Sequence, residues 1–179
     1  MKKYILVLVA LVMFLTGCVI GDATPSDEVR DFLNRYKEND TVIVNELNDY
    51  LSNTDYTEDQ RKDYKDVYLR QYSNLEYDIK DEVINGDKAV VTVQIKVFDY
   101  YKTNTTVDDY FVTNNNEFVL EDGLVDNDKM FNYRLNKLLS TTNTVEYTME
   151  INLTKVDGNW EVQALSQDDL NKLHGVYEY

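Results

Sequence analysis

Strict alternation of apolar and polar residues runs through Val145-Glu146-Tyr147-Thr148-Met149-Glu150-Ile151-Asn152-Leu153-Thr154. Side chains of a strand point alternately to its two faces, so this period of two predicts a strand over residues 145–156 with one buried face. Asp157-Gly158 follows at once and is typical of a type I′ turn. Trp160, Val162 and Ala164 then alternate in the same way, which predicts the returning strand of a hairpin.

A second hairpin is predicted upstream. Residues 75–80 alternate between apolar and polar side chains, and Asn85-Gly86-Asp87 is a turn signal after them. Residues 88–103 then form one long predicted strand. Its apolar side chains share a face: Ala89, Val91, Val93, Ile95 and Val97. Two such hairpins predict an antiparallel meander.

Helical signals precede the strands. Thr24 is suited to cap a helix and Pro25 to its first position, and Thr57 begins a capping box with Gln60. A short helix between these two carries Ile43, Leu47, Tyr50 and Leu51 on one face. Three helices before the meander predict an α+β fold, with N-terminal helices packed on a curved antiparallel sheet.

The second half of the chain contains further helical signals. Apolar residues at helical spacing follow Asp128, and Ser166 is suited to cap a last short helix that ends near His174-Gly175. Residues 104–127 mix turn-forming and aromatic residues, and we expect a short helix or an insertion there.

This order of elements resembles the nuclear transport factor 2-like (cystatin-like) superfamily over roughly residues 25–174. The resemblance rests on element order and on the two hairpins, at Asn85-Gly86-Asp87 and at Asp157-Gly158-Asn159-Trp160. It implies N-terminal helices folded across a bent sheet to form a cone with a mouth. The ending, from Asp157 to Gly175, also resembles a group of uncharacterised lipoproteins of Gram-positive bacteria.

The N-terminus carries an export signal. Lys2 and Lys3 precede an apolar run over residues 4–14, and Leu15-Thr16-Gly17-Cys18 follows. The segment resembles a bacterial lipoprotein signal, which implies cleavage between Gly17 and Cys18 and a diacylglyceryl group on the Cys18 sulfur. We therefore expect a signal peptide over residues 1–17, a lipidated tether over 18–24 and a single domain over 25–179. The expected location is the extracytoplasmic face of the cell membrane.

Charge restricts the partners. The formal net charge is −15 for the full chain, and it becomes −17 when Lys2 and Lys3 leave with the signal. So acidic a surface repels nucleic-acid phosphates and anionic lipid headgroups, so we expect no nucleic acid and a membrane contact through the lipid anchor alone. The spacing of residues indicates no metal site and no cofactor.

Candidate site residues are few. Asp99 shares the parity of the buried side chains of its strand and follows them, so it is a carboxylate against apolar walls or a residue where the strand has reached solvent. Tyr101, Tyr147 and Trp160 complete the candidate pocket. His174 is the one histidine of the chain and is expected to help finish the last helix.

Three functions remain open at this point. The first is a non-enzymatic binding module for a protein, a peptide or a cell-wall ligand, favoured because no acid–base or metal constellation is evident. The second is an isomerase or lyase with Asp99 as general base, as the resemblance implies for some members of the superfamily. The third is an immunity-type or structural lipoprotein that occludes a partner protein.

Overall fold

The computed structural model describes residues 23–179, so the expected signal peptide, Gly17 and Cys18 lie outside the described residues. Helices come first and a four-stranded antiparallel sheet follows, which confirms the predicted α+β class. The helices are α1 (Pro25–Lys37), α2 (Thr41–Ser52), α3 (Glu58–Ser73), α4 (Tyr100–Thr113), α5 (Asn127–Ser140) and α6 (Gln167–Leu173). The strands are β1 (Glu76–Asn85), β2 (Lys88–Phe98), β3 (Thr144–Val156) and β4 (Asn159–Val162), and a 3-10 helix spans Asn115–Phe118.

The N-terminal helices begin at their predicted caps. The Thr24 side chain accepts a hydrogen bond from the Asp27 backbone N–H, and the Asp27 carboxylate accepts one from the Thr24 N–H. Thr57 and Gln60 form the same reciprocal pair at the start of α3. Each box satisfies backbone donors that have no partner within the helix, which fixes where the helix starts.

The sheet has the order β1-β2-β3-β4, and the two long central strands carry the core. Ile95 lies opposite Tyr147 and Val93 opposite Met149, so the apolar faces of β2 and β3 coincide. Val29 and Leu33 of α1 are fully buried in the same cluster of side chains. The helices therefore cover one face of the sheet, as expected for an α+β fold.

A β-bulge in the edge strand β1 reverses which side chains point to the buried face of the sheet. The register shifts between Ile79 and Asp81, which places Glu82 opposite Val91, on the face that α1 covers. One Glu82 carboxylate oxygen accepts hydrogen bonds from the Ser26 backbone N–H at 2.8 Å and from the Ser26 hydroxyl at 2.5 Å. A carboxylate at a helix N-terminus is favourable, so the bulge ties α1 to the edge of the sheet.

Strand β2 ends at Phe98 and not near Thr103, which corrects the predicted strand. Gln71 of α3 binds both backbone groups of Phe98, because its Nε2 donates to the Phe98 carbonyl and its Oε1 accepts from the Phe98 N–H. Asp99 then caps α4, and its side chain accepts a hydrogen bond from the Lys102 N–H. The short helix expected within residues 104–127 is part of the longer α4, and the chain then passes through the 3-10 helix to α5.

The chain after β4 closes the sheet. Strand β4 ends at Val162, before the predicted Ala164, and α6 begins after the Ser166 cap as predicted. The Lys172 ammonium of α6 donates to the Thr148 carbonyl of β3 at 3.1 Å. A lysine on an otherwise open strand edge discourages pairing with another chain.

Gly175 is where the chain passes closest to the end of β2. Its φ is +71°, and a Cβ added there would lie 2.1 Å from the Phe98 carbonyl oxygen and 2.3 Å from Gln71 Nε2. The left-handed backbone and the tight approach both require glycine at this position.

Gly175→Ala is expected to lower the free energy of unfolding by about 3 kcal/mol or more, because a left-handed alanine costs about 1 to 2 kcal/mol and the clash adds to it. Urea unfolding of the purified protein measures the change. Gly158→Ala is the matched control, since Gly158 also has a positive φ but no atom within 4 Å of an added Cβ. Equal losses in the two variants would contradict the close approach.

Candidate functional site

The structure brings three of the four predicted pocket residues together around the C-terminal Tyr179. The Tyr179 hydroxyl donates to the Asp99 carboxylate at 2.8 Å. The Tyr179 ring lies 5.6 Å from the Tyr101 ring and 6.4 Å from the Tyr147 ring, measured between centroids. Tyr177 completes the group, because its backbone carbonyl accepts a hydrogen bond from the Tyr147 hydroxyl at 3.2 Å.

Asp99 is 4 % exposed, and both of its carboxylate oxygens accept hydrogen bonds. One binds the Lys102 N–H and the other binds the Tyr179 hydroxyl. These hydrogen bonds satisfy the buried carboxylate and make Asp99 the cap of α4.

Tyr147, which also feels the charge of this carboxylate, is held in its neutral form. Burial first, and the negative charge of Asp99 second, raise the pKa of Tyr147 to about 12. Both causes disfavour the phenolate. Tyr147 therefore acts at neutral pH as a hydrogen-bond donor that fixes the C-terminal segment through the Tyr177 carbonyl.

Trp160 lies at the other end of the sheet. It pairs with Lys155, whereas Asp99 follows Phe98, which pairs with Thr144. The two pairs lie eleven residue steps apart along β3, which at about 3.3 Å per residue is roughly 36 Å. Trp160 packs in the main core with the Lys155 ammonium 5.6 Å from its ring, so the structure does not join it to Asp99, Tyr101 and Tyr147.

His174 ends α6 as expected, and it faces aromatic groups of α3. Its Nε2 lies 3.0 Å from the Tyr72 hydroxyl, and its ring packs edge-on to the Tyr68 ring at 5.1 Å. Burial lowers the pKa of His174 to about 4. The same effect raises the pKa of Tyr68 and Tyr72 above the ordinary tyrosine value, so all three groups are neutral at pH 7.

Acidification is expected to destabilise the fold through His174. Its pKa is about 4 in the folded protein and about 6.5 when unfolded, so the unfolded chain binds more protons and stability falls as the pH drops through this interval. Between pH 7 and pH 4.5 the expected loss from this group is about 2 to 3 kcal/mol. Urea unfolding at the two pH values measures the free energy of unfolding. We expect the loss between pH 7 and pH 4.5 to be smaller in His174→Asn than in the wild type by this amount. Equal losses in both proteins would contradict the assignment.

A second candidate site lies on the helical insertion, which we define as residues 99–143 between β2 and β3. Its two main helices are clamped by Arg134 of α5, whose guanidinium donates to the Asn104 amide oxygen and the Asp108 carboxylate of α4. Phe111, Phe118 and Val107 are buried between them in a small core of their own. The insertion is therefore a packed unit and not a loop.

Arg70 of α3 fastens this insertion to the body of the protein. Its guanidinium donates to the Thr141 carbonyl at 2.6 Å and to the Leu138 carbonyl at 3.4 Å, at the C-terminal end of α5. The guanidinium also lies 3.7 Å from the centroid of the Phe98 ring. A cation that meets the last carbonyls of a helix satisfies groups without helical partners and complements the helix dipole.

A groove of ≈ 460 Å³ runs between α4 and α5. This volume lies within the range of about 300 to 1,000 Å³ that small-molecule sites occupy. Tyr110 and Tyr133 stack in its wall with centroids 4.9 Å apart and planes 10° apart, and the Lys137 ammonium lies 5.0 Å from the Tyr133 ring. The other lining residues are Thr103, Thr106, Val107, Ser140, Thr141 and Asn143.

The hydroxyl groups of the groove present acceptors. Thr103 donates its proton to the Asp99 carbonyl and Thr106 donates to the Lys102 carbonyl, each one helical turn back. Ser140 donates to the Lys137 carbonyl in the same way. Because the Thr103 proton lies on the Asp99 carbonyl, the Thr141 hydroxyl 3.1 Å away donates to the Thr103 oxygen. Each of the three hydroxyl oxygens, on Thr103, Thr106 and Ser140, still has a lone pair for a ligand. The groove therefore suits a ligand rich in hydrogen-bond donors, with Lys137 as the complementary donor.

Sequence reasoning missed this groove. The signal was present in part, because Thr103, Thr106, Val107 and Tyr110 recur at a spacing of three and four residues. Threonine and tyrosine favour strands, so the predicted strand runs on to Thr103, and the turn-forming residues after it hide the helical spacing. The sequence contains no pattern that predicts the packing of this face of α4 against Tyr133 and Lys137 of α5.

Within residues 23–179, no three histidine, cysteine, aspartate or glutamate side chains are grouped in a way that would hold a metal ion. The helices of this part of the chain are each too short or too polar to cross a bilayer.

Comparisons with known proteins give one distant likeness. No protein-family model matches the chain, and no curated protein matches it. Among solved structures, it is similar to the crystal structure of a candidate lipoprotein, YcdA, from Bacillus subtilis subsp. subtilis, with a TM-score of 0.44 and 15 % identity. The likeness covers 88 % of this chain and 48 % of that chain, so this chain spans about half the length of YcdA.

Proposed function

We propose that the protein is a lipid-anchored extracytoplasmic binding protein whose groove between α4 and α5 takes a neutral, hydroxyl-rich ligand such as a sugar chain of the cell wall. The observation that supports this most is the chemistry of the groove. It combines the stacked rings of Tyr110 and Tyr133 with hydroxyl oxygens whose protons are bound elsewhere. An apolar wall with a few oriented polar groups is the usual composition of a ligand site.

Charge favours a neutral ligand over an anionic one. The chain without residues 1–17 carries a formal charge of −17, which repels phosphates and carboxylates. Lys137 is a single cation in the groove and serves better as a hydrogen-bond donor to a hydroxyl or carbonyl oxygen than as half of an ion pair. The hydroxyl groups of a sugar can donate hydrogen bonds to the side-chain oxygens of Thr103, Thr106 and Ser140.

The proposed location rests on the N-terminal sequence. Lys2, Lys3, the apolar run and Leu15-Thr16-Gly17-Cys18 arrive in the order of a lipoprotein signal. A diacylglyceryl group supplies two chains, which is what stable anchoring requires. The groove would then be held at the outer membrane surface, next to the cell wall.

Cys18→Ala is expected to abolish incorporation of labelled fatty acid into the protein, because the acceptor sulfur is gone. Membrane fractionation should then find the protein released or retained with an uncleaved signal. Cys18→Ser controls for the loss of the side chain alone and should behave like Cys18→Ala. Normal labelling, or membrane retention after correct cleavage, would contradict the anchor.

Lys137→Met is expected to weaken binding of a short N-acetylglucosamine oligosaccharide by about tenfold, the equivalent of about 1.4 kcal/mol, since one charge-assisted hydrogen bond is lost. Thr106→Val, which keeps the shape but removes an acceptor, should weaken binding by about fivefold. Isothermal titration calorimetry of the exported protein measures both.

The matched control for Lys137→Met is Lys155→Met, because Lys155 also places its ammonium over an aromatic ring, 5.6 Å from Trp160 at the far end of the sheet. It should bind like the wild type. A native mass spectrum of the exported protein extends the test, since a retained small molecule gives the mass of a natural ligand. No binding of neutral sugars, or equal effects of both lysine variants, would refute the groove as a sugar site.

A further inference from the structure

A short hairpin projects from the helical insertion between the 3-10 helix and α5. We define it as residues 119–125. Val119 and Val125 form an isolated antiparallel bridge, the Leu120 N–H donates to the Leu124 carbonyl at 2.8 Å, and the Gly123 N–H donates to the Leu120 carbonyl at 2.9 Å. The backbone of the 119–125 hairpin is thus held by its own hydrogen bonds.

The base of this hairpin is anchored from both sides. Phe118, directly before it, is 3 % exposed and packs edge-on to Phe111 at 4.7 Å. The Asp126 N–H, directly after it, donates to the Phe118 carbonyl, and Asp126 caps α5 through the Lys129 N–H. The hairpin is therefore presented on a fixed base.

Its aliphatic side chains face solvent in spite of this order. Leu124 is 64 % exposed, Val125 54 %, Leu120 47 % and Val119 45 %. Single exposed aliphatic residues are common, but four of them on one ordered projection of seven residues are typical of an interaction surface.

The charged residues of the hairpin and of its flanks from 117 to 128 are all acidic. Five acidic residues lie between positions 117 and 128, against none that is basic: Glu117, Glu121, Asp122, Asp126 and Asp128. The first basic residue after them is Lys129, whose ammonium donates to the Glu117 carbonyl and so points back to the base of the hairpin. An apolar centre with an acidic rim is complementary to an apolar surface with a basic rim.

We propose that the 119–125 hairpin docks a cationic amphipathic segment of a partner protein. The aliphatic side chains supply the apolar contact, and the acidic rim selects for lysine and arginine. The same charges disfavour the other occupants. A second copy of this chain would bring two strongly acidic molecules together, and an anionic membrane surface would repel the rim. This proposal is independent of the sugar site, since none of its residues lines the groove.

The test uses a synthetic amphipathic peptide with leucine at every third or fourth position and lysine elsewhere, and a copy with glutamate in place of lysine. Fluorescence anisotropy at physiological salt should show binding of the lysine peptide and no binding of the glutamate peptide. Leu120→Thr/Leu124→Thr should weaken binding of the lysine peptide by about tenfold or more. Thermal unfolding of this variant should match the wild type, because neither leucine is buried: Leu120 is 47 % exposed and Leu124 64 %.

Val83→Thr/Ile84→Thr is the matched control. These two side chains, 58 % and 52 % exposed, lie at the end of β1, so the variant removes similar exposed surface elsewhere and should bind the lysine peptide like the wild type. Equal loss in both double variants would show diffuse attraction to an acidic protein and overturn the proposal. So would a dimer in size-exclusion chromatography that is lost in Leu120→Thr/Leu124→Thr, or hairpin-dependent binding to phosphatidylglycerol vesicles, since each identifies a different occupant.

Discussion

The two hydrogen bonds between the Gln71 side chain and the Phe98 backbone hold the rest of the structure in register. Strand β1 begins at Glu76, opposite Lys96, so no residue of β1 lies opposite Phe98. The fully buried Gln71 amide takes that place, with its Nε2 3.1 Å from the Phe98 carbonyl oxygen and its Oε1 2.9 Å from the Phe98 nitrogen. Without it, two half-buried backbone groups would lack protein partners, at a cost of up to about 1 to 3 kcal/mol each. Gly175 packs directly on this contact, so the C-terminal segment depends on it as well.

The neighbouring residue extends the same constraint to the helical insertion. Arg70 precedes Gln71 on α3 and holds the last carbonyls of α5, while its guanidinium covers the Phe98 ring. Residues 70 and 71 thus fix both ends of the insertion: Gln71 where the chain leaves β2, and Arg70 where it returns toward β3. The groove and the 119–125 hairpin are held in place by these two side chains from outside the insertion.

The sequence predicts the elements whose signals are local. The alternation over residues 145–156 and the capping box of Thr57 and Gln60 each specify their own structure, and both are confirmed. The end of β2 could not be found in this way. Tyr100, Tyr101 and Thr103 have strand-forming side chains, and what ends the pairing at Phe98 is an amide 27 positions earlier in the chain. Trp160 lies outside the predicted pocket for a related reason. The alternation of a strand predicts which face a side chain is on, but only the pairing register gives its position along the sheet.

The ligand preference of the groove is itself a consequence of helix geometry. Thr103 and Thr106 lie within α4, where the carbonyl one turn back is the nearest acceptor for a hydroxyl proton. With those protons bound, the two hydroxyls can offer a ligand only lone pairs. The groove therefore accepts hydrogen bonds along its threonine face and donates one from Lys137 across it. A surface with a formal charge of −17 keeps anions away, and the hydroxyls favour neutral donors. Because α4 and α5 are clamped by Arg134 and anchored by Arg70, this pattern of acceptors is present before any ligand binds, which lowers the entropic cost of binding.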